Sequence, residues 1–232
     1  MDHLDRKVAV VSGGAGALGG AIVEALAASD HDVGVLDRTG EFACDLADKQ
    51  DVERVASAVL ERRGRCDVFV HAAGAFDTAS LADLELDTWR HVQAVNVESA
   101  LWLSQAFTPG MIERGFGRII LIVSDTFFNP PFPELLPYIA SKGALIGVAR
   151  SLARSLGESG ITVNCVAPGL TRTPAAEEVV SPKAFASVLK RQALPRSLLP
   201  HDTADTVAFL ASDAAAALTG QTLCPDGGLI VR

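Results

Sequence analysis

The 232-residue sequence predicts an α/β protein: one doubly wound parallel sheet with helices on both faces. Short apolar runs alternate along the chain with longer amphipathic stretches, and a glycine-rich turn joins the first run to the first stretch. No Pro/Gly/Ser-rich linker divides the chain and no repeat of roughly 20 to 50 residues recurs, so residues 1–232 are expected to form a single domain.

The strands are expected at Val8 to Val11, Val33 to Leu36, Val68 to Val70, Ile119 to Val123, Ile161 to Val166 and Thr222 to Leu223. Amphipathic helices are expected at Leu18 to Ala28, Lys49 to Arg62, Leu86 to Arg114, Tyr138 to Glu158 and Thr203 to Ser212. The stretch Asp37 to Asp45 breaks the alternation, because a parallel crossover normally takes about a dozen residues or more. The spacing therefore predicts that the helix between the second and third strands is missing, and that the third strand is short or absent.

At 49% hydrophobic and 21% charged residues, the composition is that of an ordinary soluble globular protein. The net charge of -8 and a pI near 5.1 argue against nucleic acid or an anionic membrane as the main partner and favour a small molecule. No apolar run reaches the roughly 18 residues of a membrane span. The opening segment, Met1 to Lys7, lacks a basic region followed by an apolar stretch and a cleavage site, so a cytoplasmic location is expected. Cys44, Cys66, Cys165 and Cys224 are far apart and lack zinc-ligand spacing, which reads as small thiols and no metal site.

The turn Ser12-Gly13-Gly14-Ala15-Gly16-Ala17-Leu18-Gly19 follows a strand and opens a helix. Gly14, Gly16 and Gly19 match Gly-x-Gly-x-x-Gly, in which missing side chains let a pyrophosphate approach the free N–H groups at the helix N-terminus. Asp37 ends the second strand 18 residues after Gly19, near the spacing of a carboxylate that binds adenosine ribose. Its charge would repel the extra phosphate of NADP, which favours NAD; Arg38 is the counter-argument, since a guanidinium can grip that phosphate.

The single tyrosine, Tyr138, precedes Lys142 by one helical turn, so one face carries both groups. Bringing a phenol from about 10 to about 7 takes roughly 4 kcal/mol, and one ammonium about 5 Å away supplies roughly 3 kcal/mol at an effective dielectric near 20. A second cation, such as an oxidised nicotinamide ring, would close the gap and suit the pair to proton transfer at an alcohol or carbonyl oxygen.

With these landmarks in order, the whole chain resembles the short-chain dehydrogenase/reductase family, and in particular its NAD-dependent alcohol dehydrogenases. Ser12 to Gly19 resembles Thr-Gly-x-x-x-Gly-x-Gly, Asp45-Leu46 the Asp-aliphatic pair beside adenine, and His71-Ala72-Ala73-Gly74 the Asn-Asn-Ala-Gly motif. Asn164 to Gly169, followed by Thr171 and Thr173, resembles the nicotinamide-side Pro-Gly segment, and Asp226-Gly227-Gly228 the closing motif. The resemblance implies a Rossmann-type fold and a catalytic set of Asn96, Ser124, Tyr138 and Lys142, with Asp125 competing with Ser124 for the serine position. It implies no catalytic role for His71. The implied cofactor set is Ser12, Gly13, Gly14, Gly16, Leu18, Gly19, Asp37, Arg38, Asp45, Leu46, Ala73, Gly74, Tyr138, Lys142, Pro168, Gly169, Thr171 and Thr173. It also implies a homo-oligomer, tetramer or dimer, formed through the helices carrying Asn96 and Tyr138.

The loop between Ser124 and Tyr138 contains Phe127, Phe128, Phe132, Leu135 and Leu136 among four prolines and reads as an apolar substrate wall or a packing surface. A wall favours a hydrophobic or aromatic alcohol or ketone. Thr173 to Pro200 reads as a mobile cover that, with Arg172, Arg191 and Arg196, could receive a carboxylate. The alternatives are a dihydrodiol-type dehydrogenase of a cyclic carboxylate, a 3-oxoacyl-carrier-protein reductase, or an NAD-binding protein without catalysis.

Overall fold

The computed structural model describes residues 6–231. The opening residues 1–5, on which most of the targeting expectation rests, lie outside the described residues. Among the described residues, seven strands form one parallel sheet in the order β3-β2-β1-β4-β5-β6-β7. They are β1 (Val8–Ser12), β2 (Asp32–Asp37), β3 (Phe42–Ala43), β4 (Val68–His71), β5 (Gly117–Ile122), β6 (Ile161–Val166) and β7 (Thr222–Leu223). All residues of β1, β4, β5 and β6 are buried, which requires helices on both faces.

On one face, α2 (Lys49–Arg63), α4 (Ser99–Arg114) and α5 (Leu136–Leu156) supply Val52, Val55, Leu103, Phe107 and Leu145 to the larger core. On the other, α1 (Ala17–Ala28) and α8 (Pro200–Ala211) supply Ile22, Leu26, Val207 and Leu210 to a second core. The strand order reverses between β1 and β4, so a crevice opens there beyond the carboxyl ends of the strands. Among the described residues, no helix is long and apolar enough to cross a membrane.

The expected missing helix is missing: only residues 38–41 separate β2 from the two-residue β3. The end of α2 supports this edge in its place. Arg63 Nη1 donates to Asp32 at 3.0 Å and Nη2 to Glu41 at 2.7 Å, while the guanidinia of Arg62 and Arg63 lie over the Phe42 ring.

Two elements differ from the sequence reading. The helix expected from Leu86 to Arg114 is divided into α3 (Leu86–Gln93) and α4 by a wider π turn, Ala94–Glu98, that contains Asn96. Such turns insert one residue into the ladder and re-aim a side chain. The expected cover, Thr173 to Pro200, is built around two further helices, α6 (Pro174–Val179) and α7 (Pro182–Arg191). Their start signals are present in the sequence: Thr173-Pro174 and Ser181-Pro182 each place a capping hydroxyl before a proline at the first helical position.

Candidate active site

The glycine turn is closed too tightly for side chains at three positions. Gly13 has φ +74°, and a Cβ there would lie 2.6 Å from the Ala73 backbone. At Gly19 a Cβ would meet the Gly13 carbonyl at 2.0 Å, and at Gly14 it would meet the Val35 side chain at 2.8 Å. At Gly16 it would come no closer than 3.4 Å, and this residue instead borders a cavity of about 800 Å³. The same cavity is lined by Asp37, Arg38, Asp45, Leu46 and Ala73, as a bound dinucleotide would require. Asp37 is held in place there, Oδ2 accepting from Ala15 N at 3.0 Å and Oδ1 from Arg38 N at 2.8 Å.

A second cavity of about 270 Å³ adjoins it and brings together Ser124, Tyr138, Lys142, Gly169, Thr171 and Thr173, with Leu18, Gly74 and Pro168 also in the wall. Chain order explains the convergence: Ser124 follows β5, Tyr138 and Lys142 occupy the first turns of α5, and Pro168 to Thr173 follow β6. Lys142, 3% exposed, donates from Nζ to Ile122 O at 2.8 Å, and its Nζ lies 5.4 Å from the Tyr138 ring centroid. Burial lowers the Lys142 pKa to about 8.

The Tyr138 phenol behaves differently from the sequence expectation. Burial pushes its pKa up to about 12; a hydrogen bond with Ser124 acts in the lowering direction and the Asp125 charge in the raising one. The desolvation of the phenolate thus outweighs the Ser124 hydrogen bond in the protein alone. Ser124 Oγ accepts from Thr126 Oγ1 at 2.9 Å and from Thr126 N at 3.2 Å. Asp125 is also buried, and burial followed by the charge of Asp226 raises its pKa to about 6. Of the two competing serine-position residues, Ser124 lines the cavity.

Asn96 is fully buried, and its side chain clamps the segment after β4. Oδ1 accepts from Ala75 N at 2.6 Å; Nδ2 donates to Ala75 O at 3.0 Å and to Ser141 Oγ at 2.9 Å. A Cβ built on Gly74 would lie 3.5 Å from Lys142 Nζ and 3.7 Å from Asn96 Oδ1, so both groups gather beneath that glycine. His71 braces the arrangement. Its Nε2 is 3.1 Å from Asn96 O, which can only accept, so Nε2 carries the proton and Nδ1 accepts from Ser12 Oγ at 2.8 Å. Burial, followed by the charge of Lys142, lowers the His71 pKa to about 3 and keeps the ring neutral.

The apolar loop is a correction. None of Phe127, Phe128, Phe132, Leu135 or Leu136 lines the cavity. Leu135 is 1% exposed in the core, Phe128 packs against the larger core, and Leu136 has joined α5. Phe127 stacks edge-on against Phe128 and occupies the space beside Gly143 of α5. The loop spends Phe128 and Leu135 on packing and leaves Phe127 and Phe132 exposed. Besides Tyr138, the aromatic residue that lines the cavity is Phe76, outside the expected set, with its ring 4.7 Å from that of Tyr138. Two of the three expected anion-binding arginines are engaged elsewhere: Arg172 by Glu177 and Arg196 by Asp202.

Known proteins resemble the chain over nearly its whole length. A family model described as "Enoyl-(Acyl carrier protein) reductase" matches residues 10–230. D-threitol dehydrogenase of Mycolicibacterium smegmatis is 31% identical, over 99% of this chain and 95% of its own. 4-Formylbenzenesulfonate dehydrogenase of Comamonas testosteroni is 32% identical, over 97% of this chain and 98% of its own. The chain belongs to the short-chain dehydrogenase/reductase family. Among solved structures, a metagenomic blue fluorescent protein in complex with NADPH superimposes with a TM-score of 0.89 at 30% identity, covering 99% of this chain and all of its own. The protein is accordingly a short-chain dehydrogenase/reductase-type oxidoreductase with a Rossmann-like sheet.

Proposed function

We propose that the protein is an NAD-dependent oxidoreductase that interconverts a secondary alcohol and its ketone, the substrate carrying a hydrophobic or aromatic substituent. The carrying observation is the convergence of Ser124, Tyr138 and Lys142 on one cavity next to the glycine turn. Gly13 to Gly19, Asp37, Asp45 and Thr173 would hold the nicotinamide cofactor, which supplies or accepts the hydride. As its phenolate Tyr138 takes the alcohol proton, and as the neutral phenol it gives a proton to a carbonyl oxygen in the reverse direction. Ser124, its oxygen already accepting from Thr126, donates its own proton to orient the substrate oxygen. Lys142 holds positive charge beside the ring and favours the phenolate. Asn96 keeps the Gly74–Ala75 backbone in place above Lys142.

The fixed carboxylate of Asp37 supports NAD, because the extra phosphate of NADP would enter its field. Arg38, in the same cavity, and the NADPH-bound relative support the second reading, NADP. Phe76 beside Tyr138 and the similarity to an aromatic aldehyde dehydrogenase support an aromatic substrate; the D-threitol relative supports a polyol instead. We further propose a cytoplasmic homo-oligomer, a dimer or tetramer, assembled through the helical segments that carry Asn96 and Tyr138.

A spectrophotometric screen of alcohols and ketones with both cofactors tests substrate and cofactor together, and light scattering tests assembly. Tyr138→Phe should lower kcat by about three orders of magnitude while cofactor affinity is kept. A variant that retains turnover would reject the proton-transfer assignment.

A further inference from the structure

The segment after β4 leaves the sheet, passes over Tyr138 and is fastened at two points. Ala75 is gripped on both its N–H and its carbonyl by the Asn96 side chain. Four residues on, Ala79 N donates to Glu134 O at 2.7 Å, and Ala79 pairs with the buried Leu135 in an isolated parallel bridge. Phe76 lies between these two anchors. Its ring centroid is 4.7 Å from that of Tyr138 at an interplanar angle of 63°, yet the residue remains 50% exposed. It lines the same cavity as Ser124, Tyr138 and Thr173, and the remaining lining is aliphatic, glycine, hydroxyl or amine.

A ring fastened from both sides has little freedom to lose when a ligand covers it. Its uncovered surface is also apolar area that gains by leaving water. On the basis of the proposed function, we infer that Phe76 is a substrate-contacting specificity residue: it receives the flat aryl substituent of a ketone or carbinol whose oxygen lies at Ser124 and Tyr138. The proline-rich loop contributes indirectly, since Glu134 and Leu135 hold the segment that presents the ring. An edge-to-face aromatic contact and the associated burial favour an aryl over a short alkyl group at this wall.

The test compares wild type, Phe76→Ala and Phe76→Leu with acetophenone and butanone, with NADH and NADPH each supplied. Phe76→Ala should lose about ten-fold in kcat/KM for acetophenone and less than about two-fold for butanone, Phe76→Leu falling between. Cofactor affinity should be unchanged. Line broadening of each ketone's NMR signals in the protein–cofactor complex gives a readout independent of turnover, with weaker acetophenone binding expected in Phe76→Ala. Equal losses for both ketones, or undiminished acetophenone binding by Phe76→Ala, would overturn the specificity role. A wild type that neither binds nor reduces acetophenone would overturn it as well. Binding of acetophenone without reduction by any form would instead count against the proposed reaction, while the Phe76 comparison is still read from binding.

Discussion

The floor and the cover of the cavity are built on different principles. The floor joins the glycine turn, the end of β4, the π turn at Asn96 and the first turns of α5 through buried polar contacts. Ser12, His71, Asn96, Ser141 and Lys142 are all buried, and each makes hydrogen bonds within the floor. The cover, α6 and α7, is mostly exposed and is attached through few groups: Phe185 is buried beneath the Arg172 guanidinium, and Gln192 Nε2 donates to Asp226 O at 3.1 Å. An interlocked floor keeps reacting groups in one geometry, whereas a lightly attached cover can move for substrate entry at small cost.

The sharpest way to break the comparison is at the glycine turn. Gly19→Ala places a methyl group against the Gly13 carbonyl, a backbone atom that cannot swing aside. Cofactor affinity should fall by at least about ten-fold by calorimetry, with a lowered Tm; unchanged affinity would show that the turn is looser than its contacts indicate.

A smaller effect is expected at Asp125, where the floor carries a strained charge. Its pKa is raised to about 6 by burial, then by Asp226, with Ser124, Thr126 and Arg191 acting in the opposite direction. Because the folded value lies above the unfolded one, the contribution to stability is complete below about pH 4 and is lost as pH rises to about 6. Asp125→Asn should therefore raise the stability measured by denaturant unfolding at pH 8 by roughly 2 kcal/mol, and the gain should vanish near pH 4. A pH-independent difference would show that packing, not charge, is responsible.

The mildest perturbation belongs to the cover. Thr173 Oγ1 accepts from Ala176 N at 3.1 Å and caps α6, so Thr173→Ala should cost about 1 kcal/mol of local helix stability. Faster amide exchange confined to residues 174–179, with the global Tm almost unchanged, is the expected result. Exchange that rises across α5 as well would mean that cover and floor open together.

Much of this was legible in the chain because it depends on local chemistry. Strand and helix alternation, the glycine turn, the Tyr138/Lys142 spacing and the short link after Asp37 each follow from residue type and periodicity. The family, the Rossmann-like sheet and the missing helix were all within reach of those signals. The paired Thr-Pro and Ser-Pro starts of α6 and α7 were legible as well, but short helices carry too little periodicity to stand out beside them.

Other features required the chain to be folded. An apolar residue in a loop can face a ligand or the core, and periodicity is silent about which. Tertiary packing sent Leu135 and Phe128 inward and left Phe76, a lone aromatic some sixty residues upstream of Tyr138, beside the phenol. The same holds for ionisation: spacing set Lys142 near Tyr138, but burial raised the phenol pKa and lowered that of the amine. Sequence specifies which groups are near one another along a helix or turn; burial and long-range contact, which set solvation and orientation, exist only once distant segments have packed.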